Sequence, residues 1–305
     1  MRWLDATDVY YLTVVVLIWL AAWSRSPGLS DALANTIARI AWLIPTVKRR
    51  SLMSRIAACV DSSTPTQHRE IAQGTYRTFW QDALALAGTI RPEDARRIRV
   101  HGLERVQQAL ANGHGAVVVE SSFFGRRNLA KIVLHAHGLD LVQVHASDHL
   151  TGFWSPRTTR VRRDVIRPFL EKCERRFVHE IVYVSRSDPS LAFTRRLMRV
   201  LQDNRVLVLS GEGRVGQRTV LVPFLGVERH AVTGAMSLAK HSGAPLLPMF
   251  CWRDANGQVT LVIEPPIDVG GGARGAETGA VAYAGLLESY VRRYPSEYCG
   301  WHVES

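Results

Sequence analysis

A layered α/β domain with a largely parallel mixed sheet, flanked by helices and preceded by an N-terminal membrane helix, is the fold class this sequence predicts. Three observations carry the expectation. Between residues 115 and 266, short apolar runs alternate with stretches of helical periodicity. The apolar runs, such as GAVVVES, RVLVLSG and APLLPMFCWR, lack polar alternation, as strands covered on both faces do. The composition is globular, with 47% hydrophobic and 21% charged residues, and 305 residues suffice for one large or two modest domains with ample core.

The elements follow in chain order. Residues 9–24, VYYLTVVVLIWLAAWS, carry no charge, with Tyr10, Tyr11, Trp19 and Trp23 near the two ends. The stretch is shorter than the roughly 20 residues of an upright span, but its aromatic ends read as interfacial anchors. It leads to Arg25 and Pro27 rather than a small-residue cleavage site, which argues against a cleaved signal peptide. The next segment, ANTIARIAWLIPTVKRR, is amphipathic and ends in Lys48-Arg49-Arg50. It reads as an interfacial helix whose basic end places the rest of the chain on the cytoplasmic side. The division is therefore a membrane anchor with interfacial helix over 1–50 and an α/β domain over 51–305.

Residues 61–100 read as helical. Strands are expected over 115–121, 140–146, 180–186, 205–211, 244–253 and 258–266. Helices are expected over 126–137, 163–177, 189–203, 232–242 and 279–293. The last two strands pair through the Ala255-Asn256-Gly257 turn. Ligands should meet such a sheet at the carboxyl ends of its strands.

The formal net charge of +11 favours an anionic partner. Residues 155–176 concentrate it, with eight Lys/Arg against three acids, suiting anionic lipid headgroups or an acidic acyl carrier protein. These arginines lack interleaved aromatics and a reading motif, so no nucleic acid is expected. Cys59, Cys173, Cys251 and Cys299 are scattered without C-x-x-C or Cys/His grouping; no metal and no cofactor are expected, and the thiols read as reduced.

Four strand ends carry chemistry. The first is Glu120-Ser121-Ser122-Phe123-Phe124-Gly125 with the two arginines and Asn128 that follow. The second is Arg186 in VYVSRSDP. The third is Glu212-Gly213-Arg214 in LSGEGRVGQR, and the fourth is VPFLGVERH, residues 222–230. Guanidinium groups offer forked donors to phosphate and glycine admits a close backbone approach, so Arg186 and Arg214 converging on one anion is a natural reading.

From about residue 99 onward, roughly two thirds of the chain, these stretches resemble the lysophospholipid acyltransferase superfamily, closest to the bacterial lipid A biosynthesis acyltransferases. VHGLERVQQALANGHGAVVVES is similar to their lead-in to the catalytic motif. Arg186 falls where the superfamily has a phosphate-binding arginine, and GEGR is similar to its Pro-Glu-Gly-Thr-Arg block. VPFLG with LAKHSGAPLLPMF resembles the lipid A branch, as does YPSEYCGWH, with Trp301 shifted by one position. The resemblance implies acyl transfer, in which a histidine takes a proton from an acceptor hydroxyl, an acid five positions on orients it, and the oxygen attacks an acyl thioester.

Anchored on Gly125, the histidine position holds Phe123 and the acid position Asn128. Neither replaces the group it stands for. A literal H-x-x-x-x-D, His135 and Asp140, lies at the far end of the next helix. His145 and His149, at the end of the next strand, and Glu120, if burial raises its pKa, are the candidate bases. Ser121 or Ser122 as a nucleophile lacks the glycine of an elbow and an evident partner. Substrate contacts are expected from Phe123, Gly125, Arg186, Glu212, Gly213 and Arg214.

The function so implied is a membrane-associated acyltransferase at the cytoplasmic face of a bacterial inner membrane. It would move a fatty acyl group from acyl carrier protein or acyl-CoA to a lipid or glycolipid hydroxyl, with an altered catalytic turn. The alternative is a non-catalytic relative that binds lipid or acyl carrier protein as a partner subunit.

Overall fold

A computed structural model describes residues 6–24, 26–43, 47–60, 64–146, 149–150, 153–154, 159–184, 191–212, 218–270, 272 and 274–302. Four helices come first: α1 (Ala6–Ser24), α2 (Pro27–Leu43), α3 (Val47–Cys59) and α4 (Pro65–Ala85), followed by a short α5 (Pro92–Arg96). The sheet region then alternates β1 (Arg99–His101), α6 (Leu103–Ala111), β2 (Ala116–Glu120), α7 (Arg127–Ala136) and β3 (Leu141–Ala146). Two short strands, β4 (His149–Leu150) and β5 (Phe153–Trp154), precede a π-helical turn (Arg162–Ile166) that runs into α8 (Arg167–Glu174). The chain continues through β6 (Glu180–Val184), α9 (Leu191–Gln202), β7 (Val206–Ser210), β8 (Thr219–Phe224), β9 (Val227–Val232) and α10 (Gly234–Ser242). It closes with β10 (Leu246–Arg253), β11 (Val259–Ile263), α11 (Gly275–Arg293) and two 3₁₀ turns (Pro295–Glu297, Cys299–His302).

The main sheet has seven strands in the order β1-β11-β10-β2-β7-β3-β6. Every neighbouring pair is parallel except β10 with β11, so the sheet is mixed and mostly parallel, as the apolar runs predict. Alternate residues face opposite layers. Ala116 and Val118 of β2 join a core made with α1, α2, α4, α6, α7 and α8, while Val117 and Val119 join a second core with α3, α9, α10 and α11.

The membrane helix ahead of the domain is not found: no helix among the described residues is long and apolar enough to cross a membrane. One face of α1 belongs to the protein, because Tyr11, Val14, Ile18 and Ala21 are buried in the first core. Its Asp8 is fully buried and receives Arg162 Nε at 2.6 Å and the Thr159 hydroxyl at 2.9 Å. A buried ion pair needs a protein lining. The opposite face exposes Val9, Val16, Trp19, Leu20 and Trp23. The expected interfacial segment divides into the second half of α2 and the start of α3, with residues 44–46 outside the described ones. Ala34 and Ala38 of α2 are buried in the first core, and Ile40 and Leu43 are exposed.

The sequence-predicted strands and helices of the main sheet are present, with ends that differ by one to a few residues where residues are described; residues 185–190, between β6 and α9, lie outside the described ones, and the last helix begins four residues earlier than its periodicity suggests. Several features were not expected, the two-residue strands β4 and β5 among them. β1 is a short edge strand, and α6 follows it. Residues 219–232 form a hairpin about Leu225-Gly226, both at positive φ, ahead of the expected helix α10.

Candidate functional site

The turn after β2 is held from several directions. Ser121 Oγ accepts the Phe123 amide at 3.1 Å and the Phe124 amide at 2.8 Å. The Gly125 amide donates to the Glu297 carbonyl at 2.7 Å, the Arg126 amide to the Cys251 carbonyl at 2.9 Å, and the Cys299 amide to the Phe123 carbonyl at 2.6 Å. Phe124 forms an isolated antiparallel bridge with Tyr298. Gly125 sits at φ +69°, and a Cβ there would lie 1.9 Å from the Cys251 carbonyl oxygen. Only glycine fits both requirements.

The two phenylalanines are packing groups. Phe124 is buried and meets Phe250 and Tyr290 edge-on, with centroids 5.8 Å away in each case. Phe123, partly exposed, meets Tyr298 edge-on at 6.5 Å. Asn128 is fully engaged elsewhere: its amide nitrogen donates to the Asp82 carbonyl at 3.0 Å and carboxylate at 3.2 Å, and its backbone N–H to the same carboxylate at 2.8 Å. Burial raises the Asp82 pKa. Behind the turn, Arg126 pairs with Glu297 at 3.1 Å, both buried.

Glu212, just past the end of β7, reaches into this turn. Its Oε2 accepts the Ser122 amide at 2.8 Å and the Ser121 hydroxyl. Its Oε1 takes no hydrogen bond from the described residues. Burial pushes its pKa up to about 6, against the two hydrogen bonds and the fields of Arg229 and Arg127. Beside it, the Ser122 and Ser210 hydroxyls bond each other, and Ser210 Oγ donates to the Glu212 carbonyl at 2.9 Å.

On the opposite face of the sheet lies a second polar group. His145 Nε2 is 2.8 Å from Glu174 Oε2, and Lys131 Nζ donates to Glu174 Oε1 at 2.9 Å and to Gln143 Oε1 at 3.1 Å. Gln143 Nε2 in turn donates to Glu120 Oε1 at 3.3 Å, leaving Glu120 Oε2 buried without a partner. Burial alone would raise the Glu174 pKa. His145 and Lys131 outweigh it and hold the carboxyl well below the ordinary range. For Lys131, burial pulls the pKa down, but Glu174 and Glu120 more than offset it.

The sequence-predicted site residues therefore separate. Phe123, Gly125 and Glu212 come together at the turn. Glu120 and His145 share the buried cluster on the α7–α8 side, facing away from Phe123. The His149 side chain, Arg186, Gly213 and Arg214 lie outside the described residues. His135 and Asp140 form no dyad: Asp140 pairs with Arg205 at 2.9 Å, and His179 Nδ1 lies 3.6 Å from its carboxylate. Within the basic segment, Arg160, Arg163, Lys172, Arg175 and Arg176 are exposed, while Arg162 is buried on Asp8. Sequence reasoning missed Asp82, Arg229, Tyr298 and Glu297. No spacing rule links them to the turn: hydrogen bonds reveal Asp82 and Glu297, a backbone bridge and a ring contact reveal Tyr298, and its field on Glu212 reveals Arg229. The described residues contain no group of three or more His, Cys, Asp or Glu side chains placed to hold a metal ion.

Comparison with known proteins extends the resemblance to nearly the whole chain. The family model described as "Bacterial lipid A biosynthesis acyltransferase" matches residues 4–302. A phosphatidylinositol mannoside acyltransferase of Mycolicibacterium smegmatis is 25% identical over 304 residues, covering 98% of this chain and 90% of that protein. One from Mycobacterium tuberculosis is 23% identical over 258 residues, covering 83% and 74%.

Proposed function

The chain belongs to the bacterial lipid A biosynthesis acyltransferase family, and from that premise we propose that it transfers a fatty acyl group from an acyl thioester to a hydroxyl of an anionic glycolipid at a membrane surface. The observation that carries the reading is the turn itself. Its histidine and acid positions hold Phe123 and Asn128, yet its backbone is fixed by residues 251, 297 and 299, and it keeps an acid, Glu212, against Ser121 and Ser122. A turn released from chemistry has no evident need of that carboxylate.

The donor is acyl carrier protein or acyl-CoA. Exposed cations at Arg160, Lys172, Arg175 and Arg176 suit the acidic carrier. The relatives' names point to a mannosylated phosphoinositide or similar headgroup as acceptor, with Arg186 and Arg214 as its phosphate ligands. The protein meets the cytoplasmic face of the bacterial inner membrane through Trp19, Leu20 and Trp23 of α1 and Ile40 and Leu43 of α2, lying on the bilayer rather than spanning it.

A second reading, a non-catalytic lipid-binding partner subunit, is favoured by one observation: the two positions hold a phenylalanine packed against Tyr298 and an asparagine hydrogen-bonded to Asp82. One experiment separates the two. Purified protein receives acyl carrier protein thioester or acyl-CoA and a panel of glycosylated phospholipids, and products are read by mass spectrometry. Ester formation supports transfer. Its absence with every acceptor, alongside retained glycolipid binding, supports the partner subunit.

A further inference from the structure

Resting on the transferase reading, the geometry points to Glu212 as the general base that stands in for the absent histidine. Three observations converge. Its carboxylate reaches the turn that carries Phe123, and its position is fixed because Oε2 accepts both the Ser121 hydroxyl and the Ser122 amide. Its second oxygen, Oε1, is left without a partner among the described residues, on a side chain that is only partly buried. A carboxylate pinned through one oxygen presents the other in a set direction, as a base must.

The two other candidates whose side chains are described, His145 and Glu120, are buried. His145 is 2.8 Å from Glu174 beside Lys131, on the far face of the sheet, and Glu120 is 3% exposed and bonded to Gln143. The groups that face Glu212 are Arg127 from the start of α7, Arg229 from β9, Tyr283 from α11 and Tyr298 from the 295–302 segment. Two cations beside the base also suit the negative charge that develops on a thioester carbonyl under attack.

The step balances. Oε1 takes the acceptor hydroxyl's proton as the oxygen forms its bond to the acyl carbon. The C–S bond of the tetrahedral species then breaks, and the proton on Glu212 passes to the leaving thiolate. An ester and a free thiol result, and the carboxylate is restored.

A carboxyl with a folded pKa of about 6 is protonated and idle below that pH. Single-turnover transfer should therefore rise with pH, inflect near 6 and level off. Glu212→Gln keeps one acceptor oxygen for Ser121 and Ser122 but cannot take a proton, and should lose about 10²–10⁴-fold in rate with acceptor KM nearly unchanged and the melting curve intact. Ser121 acts as a positioning residue. Because its hydrogen bond lowers the Glu212 pKa, Ser121→Ala should move the inflection to higher pH, a change that a purely structural role would not produce. Wild-type transfer with Glu212→Gln within threefold of it overturns the assignment and leaves the transferase reading standing. So does a collapse confined to Glu120→Gln or His145→Ala. No transfer by wild type removes the transferase reading, and the base assignment with it.

Discussion

Replacing Lys131 by methionine isolates the charge cluster on the α7–α8 side. Lys131 and Glu174 are 2% and 1% exposed, with Nζ 2.9 Å from Oε1. The substitution keeps the length of the side chain and removes its charge, so the Glu174 carboxylate faces His145 alone. Removing one partner of a buried pair costs about 3–5 kcal/mol, because the other charge stays desolvated. The lost donor to Gln143, at 3.1 Å, adds about 1 kcal/mol. A total of about 4–6 kcal/mol, at roughly 2–4 °C per kcal/mol for a large domain, lowers the melting midpoint by about 8–24 °C. The pH dependence has a definite sign. Glu174 is depressed in the folded state, so its contribution is present above its unfolded pKa of about 4.3 and is lost as pH falls through the folded value. The gap between wild type and Lys131→Met should be full at pH 7 and narrow below about pH 4. Adding Glu174→Leu should recover most of the loss, since an apolar pair replaces the unpaired charge. Thermal melts followed by circular dichroism from pH 3 to pH 8 read all three. A single variant within about 1 kcal/mol of wild type at pH 7, or a gap that widens on acidification, refutes the charged-cluster account.

Asn128→Asp, which restores the acid type at that position, should destabilise by about 2–4 kcal/mol, because it turns the donors at 3.0 and 3.2 Å into a carboxylate facing Asp82. The loss should shrink in acid, where the pair shares a proton; a neutral or stabilising effect at pH 7 would count against it. Gly125→Ala should prevent folding or drop the melting midpoint far more than Gly138→Ala. Both sites have positive φ, but a Cβ meets the Cys251 carbonyl at 1.9 Å in the first and nothing within 4 Å in the second. Equal melts would contradict that contrast. Trp19→Ser and Trp23→Ser should each weaken cosedimentation with anionic vesicles by about tenfold or more, from the roughly 1.5–3 kcal/mol of lost aromatic burial. Their melts should stay within about 0.5 kcal/mol, since both rings are exposed. Unchanged sedimentation would remove α1 from the membrane contact.

The parallel strands were legible because burial on both faces leaves a plain mark: Val117, Val118 and Val119 read as strand in any order. The hairpin at 219–232 was not, because its turn is Leu225-Gly226 and leucine gives no turn signal. Arg99–His101 was missed because three residues at a sheet edge carry no period. The apolar run of α1 was misread as a span because its decisive residue is Asp8, just ahead of the run, whose partner Arg162 lies 154 positions away. At the site, the sequence drew attention to Phe123, Asn128 and Glu212, because the stretches around them resemble a known frame. It could not display that Asp82 holds Asn128 or that Ser121 holds Glu212. Those pairings come from packing α4 and β7 against one turn.

The supports of that turn also impose an order on its construction. Residues 121–126 are synthesised early, but their backbone partners are Cys251, Glu297 and Cys299. Strand β2 finds its lasting neighbours only when β7 and β10 arrive, and the turn finds its own only when residue 299 has left the ribosome. Until then the Ser121–Arg126 segment, with its two phenylalanines, lacks the Tyr298 partner that both of them meet. The same dependence acts as a check on completeness: a chain stopped between residues 230 and 296 carries Ser121, Arg127, Glu212 and Arg229 and still lacks partners that shape the turn.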